Sequence, residues 1–159
     1  MPWLLQDAAK VKASIGSSKE ARCAFDGDEE TVWTVELGSP SISAHVLVAS
    51  TLSAPRRVET WQALECIFAG GFSPIRIVTL AGFAREGSKE VEWIEVQESY
   101  PRDGNMQQSF AYEPEAVAAT LRARGKRSTD ACTHIALRLD GSTDGFGRVI
   151  VYRLNVLAT

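Results

Sequence analysis

Six short runs of β-branched and aromatic residues, each closed by a glycine, proline or Asp-Gly turn, leave this chain few folds to choose from. They lie at 44–49, 64–68, 75–80, 91–96, 133–139 and 148–157. Gly38-Ser39-Pro40, Gly70-Gly71, Ser73-Pro74, Glu86-Gly87-Ser88, Asp103-Gly104-Asn105 and Asp140-Gly141 punctuate them. Runs of this length and composition fit a pleated, half-buried surface, and glycine and Asp-Gly supply the tight reversals between them. Several runs alternate with period two, which suits an antiparallel sheet with one face in a core and one toward water. In 91–96, Val91, Trp93 and Val96 are expected to face the core, with Glu92 and Glu95 in water. In the last run Val149, Val151, Arg153 and Asn155 oppose Ile150, Tyr152, Leu154 and Val156. The fold class expected is all-β, a sandwich or jelly roll of antiparallel sheets.

One helix interrupts the pattern, from Pro114 to about Arg124, with proline early and Ala, Leu and Arg after it. A basic segment follows, and an extended exposed loop is expected at about 118–131, carrying Arg122, Arg124, Lys126 and Arg127. With 159 residues the chain reads as a single domain spanning 1–159, large enough to bury a core. A formal net charge of -3 and a pI near 5.4 give no general attraction for nucleic acid or anionic lipid. The basic cluster lacks interleaved aromatics and reads as a solvated loop. No apolar run approaches the roughly 20 residues that span a bilayer. The opening residues lack the basic and apolar regions of a secretory signal. Cys23, Cys66 and Cys132 are odd in number and widely spaced, which favours reduced thiols inside the cell, in cytoplasm or nucleus.

Catalytic signatures are weak. Cys132-Thr133-His134 puts a thiol and an imidazole on one face of a strand, so a metal pair or a Cys-His dyad is one reading; unremarkable rim residues are the commoner one. The glycines of Asp140-Gly141-Ser142-Thr143-Asp144-Gly145-Phe146-Gly147-Arg148 precede a strand and not a helix, so they form a turn and not a dinucleotide loop. Phe72 and Phe146 each follow a glycine in an expected loop, where a ring either plugs a corner or stands on a binding surface, plugs being commoner. The stretch Phe25-Asp26-Gly27-Asp28-Glu29-Glu30-Thr31-Val32-Trp33 combines a tight acidic turn with a large aromatic. Asp26, Asp28 and Thr31 offer hard oxygens of the kind calcium takes, and Trp33 is expected to anchor the turn inward.

That corner, together with the terminal Arg148-Val-Ile-Val-Tyr-Arg-Leu-Asn-Val-Leu strand, resembles discoidin-like domains of the galactose-binding jelly-roll superfamily. Phe68-Ala69-Gly70-Gly71-Phe72-Ser73, the Gln107-Gln108-Ser109-Phe110 strand and Phe146-Gly147-Arg148-Val149-Ile150-Val151-Tyr152, in that order, are similar to the orphan nuclear receptor-associated family of small single-domain eukaryotic proteins. The resemblance implies a two-sheet sandwich, a recognition surface at loops of one end, and no enzyme activity. It also implies a calcium position at Asp26, Asp28 and Thr31, although the terminal-strand Glu that commonly completes it is replaced here by Arg153. No cofactor is therefore expected to be required, and the corner is read as chiefly structural. The function expected is a non-catalytic intracellular module that docks a protein partner through Gly71, Phe72, Phe146 and Arg148. Carbohydrate binding is the alternative, with Trp61 and Trp93 as the aromatics available, and no membrane or nucleic-acid partner is expected.

Overall fold

The computed structural model describes residues 3–28, 30–85, 87 and 89–159. Glu29 of the acidic corner, and Glu86 and Ser88 of one expected turn, lie outside the described residues. Nine strands and two helical segments follow one another: β1 Lys10–Ala13, α1 Ser18–Ala21, β2 Trp33–Glu36, β3 His45–Arg57, β4 Trp61–Phe68, β5 Arg76–Ala84, β6 Val91–Ser99, β7 Gln108–Ala111, α2 Pro114–Ala123, β8 Ala131–Asp140 and β9 Arg148–Ala158. They form a five-stranded sheet in the order β1-β3-β8-β5-β6 and a four-stranded sheet in the order β2-β9-β4-β7. Every neighbouring pair is antiparallel. The all-β sandwich read from the sequence is the fold observed.

One continuous core fills the space between the sheets, and Trp33, Phe25, Phe68, Leu64, Ile77, Ile135 and Leu154 are among its most deeply buried side chains. Trp33 is thus the inward anchor expected of it. The expected basic loop is shorter than 118–131, because α2 runs through Ala123 and leaves only 124–130 before β8. Pro114 starts α2, and Val117 and Leu121, one helical turn apart, face the core. Lys126 is held inward of that loop, paired with Glu92 at 3.5 Å and lying over the Phe83 ring.

A bulge accounts for the departure of β9 from strict alternation. Between Ile67 and Phe68 the pairing of β4 with β9 slips, so Tyr152 and Arg153 both face outward. Val149 and Val151 are buried before the slip, and Leu154, Val156 and Ala158 after it. In β6 alternation is regular from Trp93 to Val96 and opposite to that expected: Ile94 and Val96 enter the core, and Trp93 lies on the outer face. There it rests over Gly82, where a Cβ would stand 2.7 Å from the indole and 2.7 Å from the His134 Cβ. Its ring meets His134 edge-on at 5.8 Å and covers Val78, Leu80 and Ala136. Glycine at 82 therefore makes room for an aromatic lid on a sheet face that would otherwise expose β5.

Strand polarity sets the geometry that matters for function. β2, β4, β6 and β8 end, and β3, β5, β7 and β9 begin, at the same end of the sandwich. The loops 37–44, 69–75, 100–107 and 141–147 therefore converge there.

Candidate functional site

The converging loops are tied together by a single carboxylate. Asp103 Oδ1 accepts from the Gly71 N–H at 2.8 Å, from Ser73 Oγ at 2.9 Å and from Thr143 Oγ1 at 3.3 Å. These donors, the Gly71 N–H foremost, favour the ionised form and hold the Asp103 carboxyl below the usual range. Beside it, Asn105 Oδ1 accepts from the Gly70 N–H at 2.6 Å. Ser73 and Thr143 then exchange bonds: Ser73 N donates to Thr143 Oγ1 at 3.1 Å, and Thr143 N to the Ser73 carbonyl at 2.9 Å. Gly71 adopts a φ of 85°, a left-handed conformation that glycine reaches without strain.

The turn Asp144–Gly147 presents the next group. Gly147 N donates to the Asp144 carbonyl at 2.9 Å, and Asp144 Oδ2 accepts from the Arg148 N–H at 3.0 Å. Gly147, at φ 83°, sits so close to Ser39 that a Cβ would come within 2.5 Å of the Ser39 carbonyl oxygen. Locked from both sides, the turn holds Phe146 outward, 80% exposed. The corner-plug reading of Phe146 is thereby corrected, because the ring stands in solvent and the Ser39 backbone packs against the neighbouring Gly147. Phe72 is half-buried, and the Arg148 guanidinium stacks over its ring at 5.3 Å while reaching Asp144 at 3.5 Å. Gly71, Phe72, Phe146 and Arg148 are thus brought to one end of the molecule.

Two further residues join them that sequence reasoning missed. Ile42 and Ile75 are 43% and 37% exposed, and both border the same point at Gly141. For Ile42 the signal was available, a lone large apolar residue in the polar loop Ser41-Ile42-Ser43; Ile75 was hidden as the first residue of the expected strand 75–80. Five of the eight large hydrophobics exposed among the described residues (Ile42, Ile75, Tyr100, Met106 and Phe146) lie in these four loops. Such clustering distinguishes a contact surface from the scattered apolar residues of any protein exterior.

The acidic corner lies elsewhere, against the outer face of the four-stranded sheet. Asp26 Oδ1 accepts from the Asp28 N–H at 2.8 Å and Asp28 Oδ1 from the Glu30 N–H at 2.9 Å, two successive side-chain turns. Thr31 Oγ1 stands 2.8–3.2 Å from both Asp26 carboxylate oxygens and from the Asp28 and Cys23 carbonyls. A hydroxyl has one proton to donate, so this gathering of oxygens suits a hard cation in kind. It falls short in number, since calcium takes six to eight oxygens and only the Asp26 carboxylate here is charged. Arg153 and Asp28 share the walls of a cleft of about 230 Å³, and the Arg153 guanidinium turns over Trp3 at 5.6 Å. A cation thus stands where a completing carboxylate would be needed.

The thiol–imidazole pair is also separated. Cys132 is fully buried in the core, its Sγ donating to the His134 carbonyl, whereas the His134 ring lies outside against Trp93 and bonds Thr133 through Nδ1. Burial pushes the Cys132 and Cys66 thiols up to about 12 and lowers the pKa of His134. A thiol that stays protonated is a poor nucleophile, so the dyad reading is corrected. Among the described residues no three His, Cys, Asp or Glu side chains gather in a group able to hold a metal, and no helix is long and apolar enough to cross a membrane.

No family model matches the chain. It is 32% identical over 133 residues to the nuclear receptor 2C2-associated protein of Xenopus laevis, covering 84% of this chain and 77% of that one. The Homo sapiens protein of the same name is also 32% identical, over 134 residues, covering 84% and 76%. The chain belongs to this family. Among solved structures it is similar to a family 32 carbohydrate-binding module from Clostridium perfringens in complex with galactose, with a TM-score of 0.64, 15% identity and coverage of 97% and 96%. It is equally similar to reduced XRCC1 bound to the catalytic domain of DNA polymerase β, with a TM-score of 0.64, 13% identity and 99% of each chain covered. At these identities the likeness establishes the discoidin-like, galactose-binding-type sandwich and nothing finer.

Within the nuclear receptor 2C2-associated family's fold, the loop end of this chain spends its polar atoms on itself. Asp103, Asn105, Ser73 and Thr143 bond neighbouring loops, and Asp144 bonds within its own turn. What this end presents to a partner includes apolar surface and the Arg148 guanidinium.

Proposed function

We propose that the chain is a non-catalytic module that docks a protein partner, inside the cell, through the surface of Phe72, Phe146, Arg148, Ile42 and Ile75. The observation that carries this reading is Phe146, held 80% in solvent by a turn whose conformation leaves the ring no inward alternative. An aromatic ring beside an arginine already ordered by Phe72 and Asp144 is the composition of an interface hot spot, and preordering lowers the entropy lost on binding. The family name makes nuclear receptor 2C2 the first partner to try. Calorimetric titration of that receptor, or affinity capture from native lysate, should give binding that Phe146→Ser with Arg148→Ser abolishes while Tm stays within about 2 °C of wild type. Retained binding in the double variant would sink the assignment.

Carbohydrate binding is the second reading, favoured by the same open ring, since sugars stack on exposed aromatics. Two observations weigh against it. Trp61 is buried and is the first residue of β4, not a residue before the strand, and Trp93 is committed to covering Gly82. The loop-end polar groups a sugar would need are already bonded. A glycan array whose hits vanish with Phe146→Ser would overturn the protein-docking reading in favour of sugar.

The module needs no cofactor on this reading, and the corner of Asp26, Asp28 and Thr31 serves to fold the chain back onto β9. Melting curves in calcium and in chelator should then coincide, because any ligand specific to the native state raises its stability.

A further inference from the structure

Four strands end the two sheets, β1 and β6 in one, β2 and β7 in the other. A strand in that position turns a row of backbone N–H and C=O groups away from its one neighbour, and charged residues or proline are the usual guards against further pairing. β1 carries Lys10 and Lys12, β2 Glu36, and β6 Glu92, Glu95 and Glu98. β7, Gln108-Ser109-Phe110-Ala111, has neither a charge nor a proline. Its free edge faces that of β6 across an open groove of about 600 Å³. Residues 96–100 wall the groove on one side, 109–111 on the other, with Glu113 and Ala116 at the start of α2.

A side chain crosses this groove. Gln97 Nε2 donates to the Ala111 carbonyl at 3.0 Å, and Gln97 Oε1 accepts from the Glu113 N–H at 3.0 Å. One carboxamide thus bonds the edge of β7 as a peptide unit of a further strand would. In an antiparallel ladder both backbone groups of a residue turn to the same side, and successive residues alternate. Ala111 turns its carbonyl to Gln97, while Tyr112 N donates to Gln62 beside it in β4 at 2.9 Å. The N–H and C=O of Ser109 and the N–H of Ala111 therefore point toward the groove, where no strand lies, and both residues are exposed.

Side chains add a preference. Tyr100, 58% exposed, and the half-buried Phe110 supply apolar surface, and Glu98 and Glu113 line the groove with them. Glu115 follows where the surface continues along α2. Among the described residues no Lys or Arg lines the groove, and neither Glu113 nor Glu115 is in an ion pair. A cationic occupant meets attraction here and an anionic one repulsion.

We propose that β7 receives a further strand, an extended segment of a protein partner bearing lysine or arginine beside apolar residues. The segment bonds Ser109 and Ala111 through its backbone and sets its cations against Glu98, Glu113 and Glu115. The site is separate from the Phe146 surface and does not depend on it.

The probe is the peptide acetyl-KVKVK-amide, added to the full chain labelled with nitrogen-15. Saturating peptide should slow amide exchange of Ser109 and Ala111 about tenfold and leave Tyr112, already bonded to β4, little changed. Two further peptides carry backbone N-methyl groups on the valines or on the lysines. A strand bonds its neighbour through alternate N–H groups only, so one of these should bind about tenfold more weakly than the other. Ser109→Pro removes an N–H that no ladder bond uses and should abolish binding, with the Tyr112 amide still protected as the check on folding. Glu113→Gln with Glu115→Gln should weaken binding about fivefold in dilute salt, a difference that vanishes near about 0.5 M. Phe146→Ser with Arg148→Ser should bind the peptide as wild type does, so failure of either surface is read separately. Equal affinity of the two N-methylated peptides, equal binding of acetyl-EVEVE-amide, or no slowing of Ser109 exchange at millimolar peptide would each overturn the proposal. So would slowing that grows with protein concentration in the absence of peptide, which would give the edge to a second copy of the chain.

Discussion

The two ends of the sandwich treat their aromatic rings in opposite ways. At the loop end, polar atoms find partners in neighbouring loops, and the surplus is an apolar ring, Phe146, standing in water. At the far end the apolar atoms of Trp61, Tyr112 and Val117 are packed, and the surplus is one polar atom, Trp61 Nε1. The first surplus is open to a partner that brings apolar surface; the second is sealed by its own packing. The contrast arises from construction. Phe146 projects from a four-residue turn pinned by backbone bonds, whereas Trp61 opens a strand whose side chain must enter the core.

The comparison breaks most visibly on truncation of the buried ring. Trp61→Ala should cost about 3–5 kcal/mol of unfolding free energy by denaturant titration, as for other large core aromatics. A loss under about 1 kcal/mol would mean that the ring is not part of the packed core. Next comes Gly147→Ala, which places a Cβ against Ser39 backbone at a φ of 83° and should cost about 2 kcal/mol. The same variant should release Phe146 from its outward position, visible as sharpening of the ring signals in NMR spectra.

A smaller effect is expected from acid. Asp103 is ionised more easily in the folded chain than in the unfolded one, so its contribution is complete above the ordinary carboxylate range near 3.9 and is lost as pH falls through its lower folded value. Wild type and Asp103→Asn should therefore differ in amide exchange of Gly71 at pH 6 and converge as pH falls through the lowered folded value. A gap that persists at low pH would show that the carboxylate charge is not what orders the loops. The effect is modest because Asp103 is exposed and screened by solvent. Smallest of all, Phe146→Ala should shift stability by no more than about 0.5 kcal/mol, as for surface positions without a packing role. A large loss there would erase the distinction between the two ends.

Much of this scaffold could be read from residues alone. The strands around 64–68, 75–80 and 148–157 stand out because branched and aromatic side chains recur between glycine and proline stops. The extent of β3 was hidden: it runs from His45 to Arg57 through Pro55, which a strand tolerates here because the pairing with β8 slips between Thr51 and Arg56. Facing was legible only as far as the first bulge. One extra residue inverts every side chain beyond it, and nothing local in Val-Tyr-Arg-Leu marks where the extra residue falls, while Trp-Ile-Glu-Val has apolar residues on both faces. The members Phe72, Phe146 and Arg148 of the candidate surface were visible as glycine-flanked loop residues. The exposure of Phe146 was not, since its turn is set against Ser39, more than a hundred positions away. The groove between β6 and β7 left no trace in the sequence, because its walls come from the edges of two different sheets.

The place of β9 has a consequence measured in time. This strand, the last of the nine in sequence order, lies inside its sheet, between β2 and β4, and residues 4 and 5 close onto it: Leu4 N bonds the Val156 carbonyl and Leu5 N bonds Asn155 Oδ1, across a separation of 150 residues. At about 5–20 residues per second of synthesis, Leu5 waits roughly 8–30 s for its partner to exist. During that interval the inner edges of β2 and β4 have no strand between them. A nascent chain of this kind has reason to be met by a holding factor early, and its yield on expression should respond to translation speed and temperature more than to any single contact in the finished sandwich.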